Sequence, residues 1–304
     1  MGPRAEYVDG VNVESTPRAD LSRSGYDAHF EGELAKLPGL QAARIAIAHG
    51  ESYVAWAAEG VCKAVVVGRR GAEWLLHTER PQVGDFVAGT YAPTGDFVIE
   101  HVLPRRTCLM RKAAGERNVP QVIASNLDVV GIVSAFGIGN ATTQRRLINE
   151  RRLARFLTAV EQSGAEPLLI VNKSDLAPDA AAVEAALHSS FPSVPLVLSS
   201  TTAASGLEEL TTWLQPQRTL GLIGMSGVGK STLVNALLGR AAQRIGDVRG
   251  SDARGRHTTS HRELFLTANG ALLMDMPGMR EFAPWDPNAT DEHEREPRFR
   301  RGHR

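Results

Sequence analysis

Residues 224–231 have the composition of a loop that wraps around phosphate groups. They read Gly-Met-Ser-Gly-Val-Gly-Lys-Ser, between an apolar segment and the start of a helical pattern. The glycines let backbone N–H groups turn toward a phosphate, and the following helix adds its positive N-terminal end. Lys230 is expected to reach the β- and γ-phosphate oxygens, and Ser231 to bind Mg²⁺ through its hydroxyl. The predicted nucleotide contacts of this loop are Gly224, Met225, Ser226, Gly227, Val228, Gly229, Lys230, Ser231 and Thr232.

A second block, Asp-Met-Pro-Gly at residues 275–278, follows the phosphate loop in the chain. Four residues of this pattern are common in turns, and the block gains weight from its place at the end of a predicted strand. The carboxylate of Asp275 is expected to help hold Mg²⁺, and the N–H group of Gly278 to contact the γ-phosphate.

A third block, Asn-Lys-Ser-Asp at residues 172–175, has the residue types of a guanine-reading loop. A carboxylate at Asp175 can accept hydrogen bonds from the ring N–H and the exocyclic amine of guanine, whereas adenine lacks that amine. A buried site built for such bonds rejects the analogue that leaves its polar groups unpaired. Lys173 is expected to lie over the base and Asn172 to tie this loop to the phosphate loop; a solvated turn is the alternative.

The order of these blocks is unusual, because the guanine-reading block precedes the phosphate loop. A pocket is assembled in space and does not depend on chain order, so this order indicates a circularly permuted GTPase domain. Ser199 and Ser200 follow the next predicted strand and fit a further block, whose backbone supports the base.

The segment between the phosphate loop and Asp275 is expected to act as a switch that senses the γ-phosphate. Thr259 is the preferred ligand of Mg²⁺, and Thr258 is the alternative and a predicted nucleotide contact. His257 is expected to position the attacking water, although an exposed loop histidine is the alternative. Met279 occupies the position where Ras-like enzymes carry a water-orienting glutamine, so hydrolysis by the chain alone is expected to be slow.

The elements that must position these residues fall into two groups. Short apolar segments separated by glycines predict a small β-barrel, for which an OB-fold is the obvious candidate and another structural barrel the alternative. Strands that alternate with helices then predict a parallel sheet with helices on both faces, which binds ligands beyond the carboxyl ends of its strands.

The barrel strands are expected at residues 44–48, 53–57, 62–67, 85–91 and 97–102. The second group is expected to have strands at 127–134, 167–171, 195–198, 219–223 and 271–274, and helices near 153–160 and at 180–189, 206–214 and 230–238. We therefore predict a loosely attached polar leader at 1–40, a barrel domain at 41–106, a GTPase domain at 120–284 and a short charged tail at 285–304.

The bulk composition is neutral, with 34 basic and 34 acidic residues, so RNA contacts would have to come from local patches. Two cysteines make neither a disulfide framework nor a four-ligand zinc site. With no apolar run of membrane-spanning length and no signal peptide pattern, we expect a soluble protein in the cytoplasm. A monomer is a separate expectation. The candidate patches are Arg105, Arg106, Arg111 and Lys112 after the barrel, and Arg145, Arg146, Arg151, Arg152 and Arg155 in one helical region, where a solvated face is the alternative.

Together these motifs resemble those of the RsgA (YjeQ/EngC) family of GTPases over about residues 41–284. The resemblance rests on the strings VLPRRTCLMRK, ASNLDVV, NKSD, SGVGKSTLVN, GRHTTSHREL and DMPGMREF. It implies an OB-like barrel before a permuted GTPase domain, GTP or GDP with Mg²⁺ as ligands, and hydrolysis stimulated by the 30S ribosomal subunit. It also implies contact with 16S rRNA during late assembly of that subunit.

The sequence departs from the family pattern beyond the GTPase domain. The family usually carries a zinc-binding helical domain with three cysteines and a histidine, whereas no cysteine follows Cys108 here, so zinc is not expected. Residues 293–297 resemble a fragment of that domain. Two other functions stay open on sequence: a slow GTP-dependent switch with a non-ribosomal partner, and a GTPase of large-subunit assembly, against which the barrel argues.

Overall fold

The structure is a computed structural model. It describes residues 7–8, 11–12, 21–49, 52–66, 78–113, 119–137, 148–239, 262–276 and 285.

The first half of the described chain forms a five-stranded β-barrel, as the sequence predicts. Its first strand pairs with both the second and the fourth, which closes the sheet on itself, and the third and fifth strands pair in parallel. Alternate side chains fill the interior, with Ile45, Tyr53 and Phe97 among the buried ones. After a short hairpin of β1 (Tyr7–Val8) and β2 (Val11–Asn12), the barrel strands are β3 (Gln41–His49), β4 (Ser52–Ala57), β5 (Gly60–Val66), β6 (Phe86–Tyr91) and β7 (Phe97–Val102).

Residues 21–40 pack closely on the barrel, so the expectation of a loosely attached leader is wrong for this part. A 3₁₀ turn at Leu21–Arg23 precedes helix α1 (Ala28–Leu34). Phe30 is 1% exposed, and its ring centroid lies 4.0 Å from that of Phe86. The polar average of the segment conceals an apolar face on a short helix, which is enough to bury it against the barrel.

The second half forms the predicted parallel sheet with helices. The strands are β10 (Val129–Ala135), β11 (Glu166–Asn172), β12 (Leu196–Leu198), β13 (Thr219–Gly224), β14 (Glu263–Leu266) and β15 (Leu272–Asp275). They run in the order β12-β11-β10-β13-β15-β14 and are parallel except for β14, which is antiparallel to β15. The helices are α2 (Glu150–Ser163), α3 (Ala180–Ser190), α4 (Leu207–Thr212) and α5 (Lys230–Leu238).

Besides the short strands β1 and β2, three strands have no counterpart in the sequence-based prediction. Strands β8 (Cys108–Lys112) and β9 (Pro120–Ser125) form an antiparallel hairpin between the barrel and the sheet. Strand β14 pairs with β15 on one side and with the barrel strand β3 on the other, where Glu263 lies opposite Ile47. The barrel and the GTPase-type sheet are therefore parts of one continuous eleven-stranded sheet.

A buried arginine joins the parts of the chain that meet below this sheet. Arg44 of β3 is 1% exposed, and its guanidinium donates hydrogen bonds to the backbone oxygens of Ser24, Gly84 and Asn126 and to the hydroxyl of Thr219. Burial lowers the pKa of Arg44 to about 10, so the group stays charged at neutral pH. One side chain thus contacts the leader, the barrel, the linker and the first residue of β13.

We expect Arg44→Met to lower the free energy of unfolding by about 3 kcal/mol, because it leaves buried carbonyl oxygens without their donor. Urea denaturation of the purified variant measures this change. Arg218→Met is the control, since Arg218 is 36% exposed and its ion pair with Glu166 lies at the surface, where such pairs contribute at most about 1 kcal/mol. Equal destabilisation by the two substitutions would contradict the structural role of Arg44.

Candidate nucleotide-binding site

The predicted phosphate loop lies between the end of β13 and the start of α5. Gly224 has φ +148°, and a Cβ atom there would overlap the carbonyl oxygen of Val133 in the neighbouring strand β10. Gly229 precedes α5 as its N-cap with φ +93°. Both positions therefore require glycine, one for close approach of two strands and one for a left-handed turn into the helix.

Lys230 folds back over this loop from the first turn of α5. Its ammonium donates hydrogen bonds of 3.0 Å to the carbonyl oxygens of Gly224 and Met225. The side chain is buried, which lowers the pKa of Lys230, while the nearby carboxylate of Asp275 acts in the opposite direction. The loop thus holds a preformed positive charge at the point where phosphate oxygens are predicted to bind.

Asn172 connects the predicted guanine-reading loop to the phosphate loop. It ends β11, is 1% exposed, and its Nδ2 donates to the carbonyl oxygen of Val228 at 3.1 Å. Its Oδ1 accepts from the hydroxyl of Ser199 at 3.4 Å. Lys173 adds a second link, because its Nζ donates to the carbonyl oxygen of Gly227 at 2.8 Å. These bonds hold the two loops together. The sequence predicted this link for Asn172, but not for Lys173.

Asp175 lies on the exposed side of the same loop, in a 3₁₀ turn at Ser174–Leu176. The hydroxyl of Ser200 donates to its Oδ1, and the backbone N–H of Ser174 donates to the carbonyl oxygen of Ser199 at 2.9 Å. The sequence assigned only a backbone role to Ser200, whereas the structure uses its side chain to orient the carboxylate of Asp175. No spacing rule for serine could have indicated this bond.

Asp275 lies at the same edge of the sheet, at the carboxyl end of β15. It is 7% exposed and is in register with Leu222 of the adjacent strand β13, shortly before the phosphate loop. Ser231 and Thr232 are half-buried in the first turn of α5. The oxygen donors of Ser231 and Asp275 suit Mg²⁺, a hard cation that prefers oxygen ligands.

Five further predicted residues lie outside the described part of the chain. They are His257, Thr258, Thr259, Gly278 and Met279. Among the described residues, the structure brings together the guanine-reading loop, the serine loop after β12, the phosphate loop and Asp275 at the carboxyl edge of one parallel sheet. Their individual contacts with a nucleotide stay predictions.

Comparisons with known proteins agree with this arrangement. A family model described as RsgA GTPase matches residues 102–285. The small ribosomal subunit biogenesis GTPase RsgA of Methanosarcina acetivorans is 43% identical over 227 residues, which cover 73% of this chain and 59% of the relative. The protein of the same name from Opitutus terrae is 37% identical over 278 residues, 87% of this chain and 73% of the relative. The chain thus spans a little over half of the first relative and almost three quarters of the second.

Two solved structures share the fold. YjeQ from Thermotoga maritima aligns with a TM-score of 0.54 at 24% identity, over 79% of this chain and 75% of that one. YloQ, a circularly permuted GTPase, aligns with a TM-score of 0.50 at 19% identity, over 80% of this chain and 73% of that one. These likenesses show the fold of a circularly permuted GTPase, in agreement with the order of the sequence blocks.

Proposed function

This chain belongs to the RsgA GTPase family, and from that premise we propose that it hydrolyses GTP to GDP and phosphate in late assembly of the small ribosomal subunit. The observation that carries the GTP part is the pair of hydrogen bonds from Asn172 and Lys173 to the phosphate loop. They couple a base-reading loop to a phosphate-reading loop, so one ligand must satisfy both. The names of the relatives carry the ribosomal part.

Recognition of guanine is assigned to Asp175, with Lys173 lying along the base. Guanine can donate two hydrogen bonds to this carboxylate, whereas adenine has no donors at the same two positions. A carboxylate covered by the base but left without a donor costs about 1–3 kcal/mol or more. The hydroxyl of Ser200 holds that carboxylate in place before the base arrives. Less conformational entropy is then lost on binding.

Lys230 supplies positive charge to the phosphate end, and backbone N–H groups of the loop add hydrogen bonds. Ser231 and Asp275, together with Thr259, are the residues proposed to hold Mg²⁺. When bound, Mg²⁺ neutralises charge on the β- and γ-phosphate oxygens. The remaining task, positioning the attacking water, is assigned to His257, because Met279 offers no hydrogen-bonding group for it.

The proposed partners are the 30S subunit and its 16S rRNA, and the proposed state is a monomer in the cytoplasm. The relatives are named for biogenesis of the small ribosomal subunit. Among the residues that the structure describes, no helix has the length and apolar character to cross a membrane.

Hydrolysis by the protein alone is expected to be slow, on the order of 10⁻³ s⁻¹ or below, with at least tenfold stimulation by 30S subunits. Slow basal turnover follows from Met279, and stimulation follows if the partner completes the site. Single-turnover hydrolysis of GTP, with and without 30S subunits, measures both rates. His257→Ala is expected to reduce the stimulated rate more than the affinity for GTP.

The 50S subunit is the matched control in that assay. Stimulation by 50S subunits alone would move the assignment to large-subunit assembly. Absence of stimulation by either subunit, with nucleotide binding intact, would favour a binding switch with another partner.

A further inference from the structure

The basic residues that the sequence offers for RNA contact fall into two classes in the structure. Arg105 belongs to the interior: its guanidinium donates two 2.7 Å hydrogen bonds to the buried carboxylate of Asp85. Arg106 pairs with Asp27 at 2.6 Å and lies over the ring of Phe30 at 4.5 Å. Arg105 thus holds parts of the barrel together, and Arg106 links the barrel to the leader, so both guanidinium groups already have partners within the protein.

The other described basic residues lie on two elements that pack against each other, whereas Arg145 and Arg146 lie outside the described part of the chain. Arg111 and Lys112 end strand β8, and helix α2 packs on that strand. Gly164, just after α2, lies beside the backbone of Arg106 and the side chain of Thr107, where β8 begins. Because the last turn of α2 lies at the start of β8, its first turn lies toward the other end of the strand. The arginines of that end of the helix are Arg151, Arg152 and Arg155.

This end is also the nucleotide edge of the sheet. Helix α2 connects the carboxyl end of β10 to the amino end of β11, two parallel strands that run toward the predicted site. It must therefore begin at the edge where Asn172 and the phosphate loop lie and end at the opposite edge. Arg151 and Arg155 are both exposed and one helical turn apart, so their side chains emerge on one face.

Two arginines near the β8–β9 hairpin donate hydrogen bonds to neutral amide groups, which do not cancel their positive charge. Arg111 donates to the amide oxygen of Gln121 at 3.0 Å, and Arg262 donates to that of Gln82 at 3.2 Å. Burial lowers the pKa of Arg262, and the positive charge of Arg111 lowers it further. Two arginines held close enough to repel each other create a local positive potential that an anion would relieve.

We propose that Arg111, Lys112, Arg151, Arg152 and Arg155, here called the edge surface, bind the phosphate backbone of small-subunit RNA. The proposal rests on the proposed function, since it names the face that meets the proposed partner. Arginine predominates in the surface, and its planar fork suits phosphate oxygens better than a lysine ammonium does. Arg151 and Arg155, one helical turn apart on one face, can contact successive phosphate groups of one RNA strand. An RNA strand bound there would lie at the same edge of the sheet as the predicted nucleotide site.

The test compares two charge reversals at exposed positions on different elements. Arg155→Glu changes the edge surface, and Lys36→Glu is the matched control, because Lys36 is exposed, follows α1 and bonds only with Glu33 among its described contacts. Binding to purified 30S subunits is measured as a function of salt concentration. We expect Arg155→Glu to weaken binding about tenfold at 0.1 M salt and to reduce the salt slope by about one. The double variant R151E/R155E is expected to weaken binding further, and Lys36→Glu to leave affinity and slope unchanged.

The controls separate this proposal from the proposed function. Basal GTP hydrolysis and thermal melting are expected to stay unchanged in every variant, and R151Q/R155Q removes the charges without reversing them. If the unaltered protein does not bind 30S subunits, the proposed function fails and this inference with it. If it binds but Arg155→Glu and R151E/R155E bind with the same affinity and slope, the edge surface alone is wrong. Weakened binding to 30S subunits with full binding to protein-free 16S rRNA would also overturn the proposal and indicate an acidic protein partner.

Discussion

Replacing Lys230 with alanine is expected to lower the rate of GTP hydrolysis roughly 10³-fold, because it removes a preorganised charge from the transferred phosphoryl group. The ammonium is already buried in the loop and bonded to two of its carbonyl oxygens. It therefore has little rearranging to do when a nucleotide binds. Single-turnover hydrolysis at saturating GTP measures the loss, and differential scanning calorimetry measures whether the fold survives.

The fold should survive this substitution, since Lys230 contributes no apolar side chain to the core and its burial carries a desolvation cost. Lys36→Ala is the control for removal of a lysine, at an exposed position outside the predicted nucleotide loops. Ser231→Ala is expected to reduce hydrolysis as well, through loss of the hydroxyl assigned to Mg²⁺. Turnover retained by Lys230→Ala would overturn the assignment of residues 224–231 as a phosphate loop.

The parts of the site that the sequence predicted are those encoded by short, contiguous patterns. A glycine-rich loop between a strand and a helix specifies its own geometry, because left-handed turns and close strand contacts admit few residues other than glycine. The strand ends at Asn172 and Asp275 follow from apolar runs that stop at a polar residue. These features need no knowledge of the rest of the chain.

The elements that the sequence did not reveal depend on partners distant in the chain. Strand β14 has only four residues, and its role comes from pairing with both β15 and the barrel strand β3. Arg105 resembles a surface arginine until Asp85, from the turn before β6, is placed against it. The side-chain bond from Ser200 to Asp175 likewise joins two loops that only the folded sheet brings together.

The second large effect is expected on the affinity for the nucleotide base, when Asp175 is replaced. We expect Asp175→Asn to weaken binding of GTP about 10²-fold, because the new amide presents a donor toward the exocyclic amine of guanine. Xanthine carries a carbonyl in place of that amine and keeps the ring N–H. The amide can donate to the carbonyl with its nitrogen and accept from the ring N–H with its oxygen. Binding of xanthosine triphosphate is therefore expected to exceed that of GTP in the variant, as measured by isothermal titration calorimetry with both nucleotides.

The contact with Ser200 makes this reversal of preference a sharp test of the site. The hydroxyl of Ser200 donates to Oδ1 of Asp175, and an amide oxygen can accept the same bond, so the variant side chain keeps its place. Asp179→Asn is the control, because Asp179 caps α3 through Oδ1 and asparagine caps helices about as well as aspartate. It should leave the affinity for both nucleotides unchanged. If Asp175→Asn weakened both nucleotides equally, the carboxylate would be supporting the loop rather than reading the base, and the guanine assignment would have to move to other residues.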